Sequence, residues 1–256
     1  MSGTLVVIPV HNEAASIENV VRRAIRHAPV CVVDDASTDE TPAILARLEG
    51  VHVIRHQKNC NYAGAILTGM RYGLTTAYDY VVTMDAGLSH DPDEIPRFLG
   101  AGDADFVVGV RKAGHDWQVP AYRKVLSQAG TMLMRLALWR RGGRSLQDCT
   151  SGYRRYSRAA LMLLTESPLQ GRSFDFVLET AALLSWSGVS ISEVPISYRY
   201  TNSYLNVRAV WRALHMWGTL FFRHHPALSR ARAKRIETRN AEARADVPLD
   251  APADRG

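Results

Sequence analysis

Only 3 of the 256 residues are cysteine, and Cys31, Cys60 and Cys149 are odd in number, widely spaced and outside any C-x-x-C pair. That scarcity excludes a disulfide framework or a zinc site and leaves reduced, structural thiols. Long apolar runs are missing too. The charge-free stretch near the C-terminus, 213–222, falls well short of the roughly 20 residues a bilayer crossing needs. Residues 1–10 enter a strand-like pattern directly, with no basic start, helical-length apolar segment or small-residue cleavage site, so no secretory signal is expected and the cytoplasm is the expected compartment. G-x-G-x-x-G, G-x-x-x-x-G-K-[ST] and H-E-x-x-H are absent, which removes the usual support for nicotinamide enzymes, P-loop ATPases and zinc proteases. There is no internal repeat.

Acidic residues are scarce in the second half. Between Asp105 and Asp148 the only acid is Asp116 against eight Lys and Arg, and between Glu193 and Glu237 there is none against eight more. The net charge of +6 is therefore concentrated in a basic back half behind an acidic or neutral front half. This distribution implies an anionic partner. Nucleic acid is not expected, because no recognised binding module is present and the aromatics share one helical face instead of interleaving with Arg.

What is present, with 46% hydrophobic residues, suffices for a full core. Leu5–Val10, Val30–Asp35, Val51–His56, Tyr80–Asp85 and Phe106–Arg111 read as short β-branched strands separated by helix-length segments. Such continuous apolar runs describe parallel strands covered on both faces, hence a doubly wound α/β sheet. Asn12–Glu13, Ser37–Thr41 and Asp91–Pro92 mark helix starts at Ala14, Pro42 and Asp93. The spacing predicts further helices over 121–139, 158–164 and 174–186, a polar turn at 148–152 and a strand at 189–200. In the segment 204–224, Val207, Val210, Trp211, Leu214, Trp217 and Phe221 fall on one helical face, with Arg208, Arg212, His215 and Thr219 on another. An interfacial membrane helix and a terminal helix packed on the core both fit this pattern. From 229 the chain is charged and poor in apolar residues, and a disordered tail is expected. Ligands of an open α/β sheet gather at the carboxyl ends of its strands, where this chain places His11, Asn12, Glu13, Asp34, Asp35 and Asp85.

Five strings occur in order: I-P-V-H-N-E at 8–13, V-V-D-D-A-S-T-D-E-T at 32–41, M-D-A-G-L-S-H-D-P at 84–92, D-C-T-S-G-Y-R at 148–154 and E-V-P-I at 193–196. Together they resemble family 2 glycosyltransferases of the GT-A fold, in the branch of dolichol-phosphate mannose synthase and the polyprenyl-phosphate glycosyltransferases, over roughly residues 4–222. The resemblance implies one GT-A (Rossmann-like) domain over 1–228, with a mostly parallel central sheet flanked by helices. Residues 1–111 would be its nucleotide-sugar half, 112–203 its acceptor half and 204–224 a C-terminal amphipathic helix. It implies that Pro9, His11, Asn12, Glu13, Asp34, Asp35, Asn61, Gly64, Asp85 and Ala86 hold a sugar nucleotide. The segment Asp85–Ser89 matches the D-x-D region, which would place Mg²⁺ or Mn²⁺ on Asp85 and Ser89 to offset the charge on a leaving nucleoside diphosphate. Arg123, Trp117, Ser127, Ser151 and Arg154 match the segments that approach the acceptor, and Glu179 matches the acid of an F-Q-x-E helix.

The chain departs from this pattern at several points. Gly87 replaces the second carboxylate of D-x-D, Val177 the Gln of F-Q-x-E, and Asn61 and Ala63 two glycines. Asn61 tolerates positive φ, so its turn is expected to persist. T-N-S-Y-L at 201–205 lacks the Lys of a G-x-S-K-L string. Arg199, Arg123 or Arg111 would then pair an acceptor phosphate, with Ser203 beside it. The expected reaction is inverting sugar transfer from GDP-mannose or a UDP-sugar to a polyprenyl phosphate at an anionic membrane surface, peripheral on the inner face of the cell membrane. A phosphate acceptor needs only Arg residues, Arg123 among them, to position it. A soluble hydroxyl acceptor would need a base, Asp148 first and Glu179 second. A non-catalytic sugar-nucleotide binder is the third reading, consistent with Gly87.

Overall fold

Every residue of the first strand is buried, and its side chains divide between two cores. Leu5 and Val7 face one, with Cys31, Val33, Val81 and the helix carrying Ile66 and Met70. Val6, Ile8 and Val10 face the other, with Ile17, Val20, Val21 and Phe98. An alternation with both faces apolar requires helices on both sides of the sheet. The computed structural model describes residues 3–117, 121–199 and 207–222, with the side chains of 112–117, 121–124 and 207–209 outside that description.

The strands are β1 (Thr4–Val10), β2 (Val30–Asp34), β3 (Val51–Arg55), β4 (Tyr80–Thr83), β5 (Phe106–Trp117), β6 (Arg154–Ser157) and β7 (Ile191–Arg199). The helices are α1 (Ile17–Ala24), α2 (Thr41–Leu45), α3 (Asn61–Thr75), α4 (Ile95–Leu99, after a 3₁₀ turn at Pro92–Glu94), α5 (Ala121–Arg140), α6 (Arg158–Glu166), α7 (Phe174–Ser187) and α8 (Val207–Phe222). The seven-stranded sheet has the order β3-β2-β1-β4-β6-β5-β7. Only β6 runs antiparallel, against β4 and β5, while β7 returns parallel beside β5. The expected mostly parallel sheet is therefore observed, with one inserted antiparallel strand that the sequence reading did not anticipate.

That strand was hidden because its residues, Arg154, Arg155, Tyr156 and Ser157, look like a surface segment. Both arginines are in fact buried, each held by main-chain carbonyls. Arg154 Nη1 donates to Val177 O at 2.9 Å and Nη2 to Cys149 O at 3.0 Å. Arg155 Nη1 donates to Phe98 O at 2.8 Å. Two elements start later than their sequence signals. Helix α1 begins at Ile17, because Asn12 serves a loop contact described below. Asp91 does cap the turn before α4, its side chain accepting from Asp93 N.

Helix α8 lies beside α5 and α7. Trp217 Nε1 donates to Leu133 O at 2.8 Å, and Arg141 Nε donates to Leu220 O at 2.9 Å. Met216, Thr219 and Leu220 are buried, while Trp211 (69% exposed), Leu214 and Phe222 (71%) face outward. The expected division of faces is thus corrected: Thr219 is on the packed side and Trp211 and Leu214 on the open side. The tail from 229 lies outside the described residues.

Candidate active site

The carboxyl ends of β1 and β4, the 148–152 turn and helices α5, α7 and α8 enclose a cleft of about 1050 Å³. One wall carries Pro9, His11, Glu13 and Asp85–Gly87, the opposite wall Arg111, Ser127, Asp148 and Ser151, and the far end Met132, Leu214 and Trp217. A polar region thus runs into an apolar one.

The edge at the carboxyl ends of β1 and β2 is locked by contacts between strand ends. Among the described residues, Asn12, Ala36 and Asn61 are the non-glycine residues with positive φ, at 57°, 59° and 66°, and all three sit here. Residues in this region persist where surrounding bonds over-determine them, and such clusters mark functional edges. Asn12 Oδ1 accepts from Thr38 N at 2.8 Å, and Asn12 N donates to Ser37 Oγ at 3.0 Å. His11 Nδ1 lies 2.9 Å from Asp35 O. Asp34 Oδ1 accepts from Ser37 N at 2.9 Å, and its Oδ2 lies 3.2 Å from Arg55 Nε. Asp35 Oδ1 accepts from Cys60 N and bonds His56 Nδ1, both at 2.7 Å, while Oδ2 has no partner among the described residues. Asn61 keeps the expected turn, and Gly64 lies in the first turn of α3, where an added Cβ would meet Cys60 Cβ at 2.6 Å. Asn12, Asp34, Asp35, Asn61 and Gly64 support this edge from outside the cleft lining.

Asp35, His56 and Cys60 also bring three ligand-type atoms within 4.8 Å of one another. His56 is already held on both ring nitrogens, by Asp35 and by Thr68 Oγ1 at 3.0 Å, and β2 is two strands over from β4. This group is therefore distinct from the Asp85 position.

Asp85 follows β4 with its side chain 40% exposed. Its main-chain N donates to His90 Nδ1 at 3.1 Å, which leaves the ring proton on Nε2. Burial, with Arg111 adding to it and the carboxylates of Asp85 and Asp148 opposing, lowers the His90 pKa and keeps the ring neutral. Burial, and then the nearby Asp85 charge, push the Tyr62 hydroxyl well above its ordinary range, so it remains a donor to Asp85. Asp85 consequently stays an accessible carboxylate with no Lys or Arg within ion-pair distance among the described residues. One such carboxylate fits a hard divalent ion that takes its remaining ligands from diphosphate oxygens and water. Gly87 offers no side chain, and Ser89 is buried with its carbonyl accepting from Arg199 N at 3.2 Å.

On the opposite wall Arg111, at the point where β5 loses register with β7, grips Asp148. Nε donates to Oδ2 at 2.7 Å and Nη2 to Oδ1 at 2.9 Å; Nη2 also donates to Ser127 Oγ at 3.1 Å and to Thr150 Oγ1. Asp148 Oδ1 further accepts from Thr150 N at 2.9 Å, Thr150 Oγ1 at 2.8 Å and Ser151 N at 3.1 Å. Burial alone would raise the Asp148 pKa, but the Arg111 charge and these hydrogen bonds outweigh it and hold the carboxyl below its ordinary value. The guanidinium also lies 5.2 Å from the Tyr198 ring centroid. Gly152 closes the seam between the two walls: a Cβ there would lie 3.0 Å from Tyr62 Oη and 3.6 Å from Asp85 Oδ1.

Three expected site residues are placed elsewhere. Glu179 is buried outside the cleft lining, its carboxylate accepting from Gln170 N at 2.8 Å and Gly171 N at 2.7 Å. Arg154 is committed to the core contacts given above. Arg199 ends β7, exposed and off the lining. Ser203 and the side chains of Trp117 and Arg123 lie outside the described residues. Conversely, Tyr62, His90 and Tyr198 line the cleft with no role assigned from sequence. Tyr62 and Asp85 lie 23 positions apart, and no local pattern signals that contact.

Fold and site together define an enzyme of the GT-A class. In fold, the chain is similar to glucosyl-3-phosphoglycerate synthase from Mycobacterium tuberculosis, solved with Mn²⁺, uridine diphosphate and glucosyl-3-phosphoglycerate, with a TM-score of 0.64 at 18% identity over 87% of this chain and 81% of that one. The model of glycosyl transferase family 2 matches residues 5–164, and the chain belongs to this family as a glycosyltransferase. It is 34% identical to the undecaprenyl-phosphate mannosyltransferase of Micrococcus luteus, over 76% of this chain and 82% of that protein. It is likewise 34% identical to the polyprenol monophosphomannose synthase of Mycolicibacterium smegmatis, over 76% and 77%.

Proposed function

We propose that the protein transfers a sugar from a nucleoside diphosphate sugar to a polyprenyl phosphate, with inversion at the anomeric carbon. The observation that carries this reading is the Arg111–Asp148 arrangement. A carboxylate whose oxygens are taken by Arg111, Thr150 and Ser151, and whose pKa is depressed, is a poor proton acceptor, so a hydroxyl acceptor would find no base in Asp148. A phosphate monoester is already ionised near neutral pH and needs only to be positioned. Both 34%-identical relatives carry polyprenyl-phosphate or polyprenol acceptors in their names, which supports the same choice.

In this mechanism the nucleoside lies along Pro9–Glu13 and Asp35, and the diphosphate reaches Asp85. Asp85 would hold Mg²⁺ or Mn²⁺, which when bound offsets charge on the departing diphosphate. Arg111, aimed by Asp148 and Ser127, holds the acceptor phosphate so that one of its oxygens attacks the anomeric carbon as the nucleoside diphosphate leaves. The outer faces of α5 and α8 support a membrane-surface location. Met132 (74% exposed), Leu136 and Trp139 (77%) form a stripe on α5, Trp211, Leu214 and Phe222 another on α8, and exposed Arg140, Arg144 and Arg212 lie among them. No helix among the described residues is long and apolar enough to cross a membrane.

The test is release of nucleoside diphosphate from GDP-mannose, UDP-glucose or UDP-N-acetylglucosamine, with Mg²⁺, Mn²⁺ or chelator, in the presence and absence of polyprenyl phosphate. Lipid-dependent and metal-dependent release is expected with one donor. Release that needs a soluble hydroxyl acceptor instead, or nucleotide binding without turnover, would overturn the reading.

A further inference from the structure

Two arginines with described side chains line the cleft, and they differ in charge balance. Arg111 is paired with Asp148 through two hydrogen bonds, so that unit is close to neutral. Arg135, two turns beyond Ser127 on α5, has no carboxylate within ion-pair distance among the described residues. Its Nε donates to Leu146 O at 2.8 Å and one Nη2 proton to Gln147 O at 3.4 Å. These carbonyls immediately precede Asp148, so they anchor Arg135 to the same turn that aims Arg111. Two of its five N–H donors are used, and three remain on Nη1 and Nη2, the planar fork that suits a phosphate.

We infer that Arg135 is a phosphate-binding residue of the acceptor site, supplying there the uncompensated positive charge that the T-N-S-Y-L segment lacks. The inference rests on the proposed transfer to a phosphate monoester. The ligand it recognises is a phosphate monoester with an apolar chain: Leu133 and Met134 beside it on α5, with Leu214 and Trp217 of α8, continue the cleft from the charge into apolar surface. A guanidinium held by carbonyls keeps its full charge and loses little side-chain entropy on binding.

The experiment compares wild type, Arg135→Gln and Arg135→Lys. Farnesyl phosphate and glycerol 3-phosphate binding are measured by calorimetry at low and high salt, alongside nucleoside diphosphate binding and acceptor KM and kcat. Expected results are roughly tenfold weaker farnesyl phosphate binding in Arg135→Gln, partial rescue in Arg135→Lys, a shallower salt dependence in Arg135→Gln and unchanged nucleotide affinity. The transfer assay should show a raised acceptor KM with kcat little altered. Glycerol 3-phosphate should bind more weakly than farnesyl phosphate, which separates a lipid from a soluble source. Equal farnesyl phosphate affinity in all three proteins, or a parallel loss of nucleotide affinity, would overturn the inference. If wild type fails to transfer to a lipid phosphate, the proposed function falls, while the binding arm still decides the role of Arg135.

Discussion

At the scale of single residues, Asp148 works through Arg111. Asp148→Asn would leave a largely buried guanidinium without its counter-charge, and a loss of about 2–3 kcal/mol is expected in urea unfolding. Because the folded-state pKa of Asp148 lies below its ordinary 3.8, its contribution is complete above that pH and lost as pH falls through the folded value. The stability gap between wild type and Asp148→Asn should therefore be constant from pH 7 to about 4 and close below it; a gap that already closes at pH 6 would refute the assignment. Gly87 is not among the positive-φ glycines, so its backbone conformation is open to an L-residue. Gly87→Asp should restore a second oxygen ligand and tighten Mn²⁺-dependent nucleoside diphosphate binding by about tenfold in calorimetry. Burial pushes the Cys31 and Cys149 thiols up to about 12, and Cys60 is the half-buried one. A native-state thiol titration should accordingly modify one cysteine, Cys60, before unfolding exposes the others.

At the scale of elements, α3 couples the edge at Asn61 and Gly64 to the core. Its Gly69 sits directly on β1: an added Cβ would overlap Val7 Cγ1 and lie 3.1 Å from Cγ2. Gly69→Ala gains about 1 kcal/mol in helix propensity but forces the helix off the strand, with a net destabilisation of about 1–2 kcal/mol expected from urea unfolding. Adding Val7→Ala to Gly69→Ala should recover part of that loss, since the added methyl then enters the vacated space. Strand β6 shows the same dependence on context, for carbonyls of α7, of the 148–152 turn and of the α4 region meet the Nη donors of its two buried arginines, while both Nε atoms lie buried without a partner among the described residues.

At the scale of the whole molecule, the cleft opens where α5 and α8 present their apolar and basic outer faces. A Trp139→Glu, Trp211→Glu pair changes neither the cleft lining nor the core. It should reduce co-sedimentation with anionic vesicles by about tenfold or more while leaving the thermal midpoint within a few degrees of wild type. Unchanged vesicle binding would show that this face is not the membrane contact.

The first half of the chain was largely legible in the sequence. Its short β-branched runs form β1–β5, and strand-ending acids such as Asp35 and Asp85 then lie along one edge, although β3, at the margin of the sheet, is largely open instead of covered on both faces. The second half was less legible, because its arrangement rests on contacts between distant segments. Nothing local distinguishes Arg154, which is consumed by the core, from Arg111, which faces the cleft; burial and available carbonyl partners separate them. Glu179 was legible as an acid at a suggestive spacing, yet its direction was set by the loop at Gln170–Gly171 that folds over it. Helix α8 was legible as amphipathic, but which of its tryptophans is packed and which is open was decided by where α5 and α7 lie. By itself the sequence determined the strands β1–β5, the gathering of acids at their carboxyl ends and the charge asymmetry, since these follow from local pattern and composition. Only the tertiary structure decided the partners of each charged side chain, because hydrogen bonding and desolvation are properties of neighbours in space.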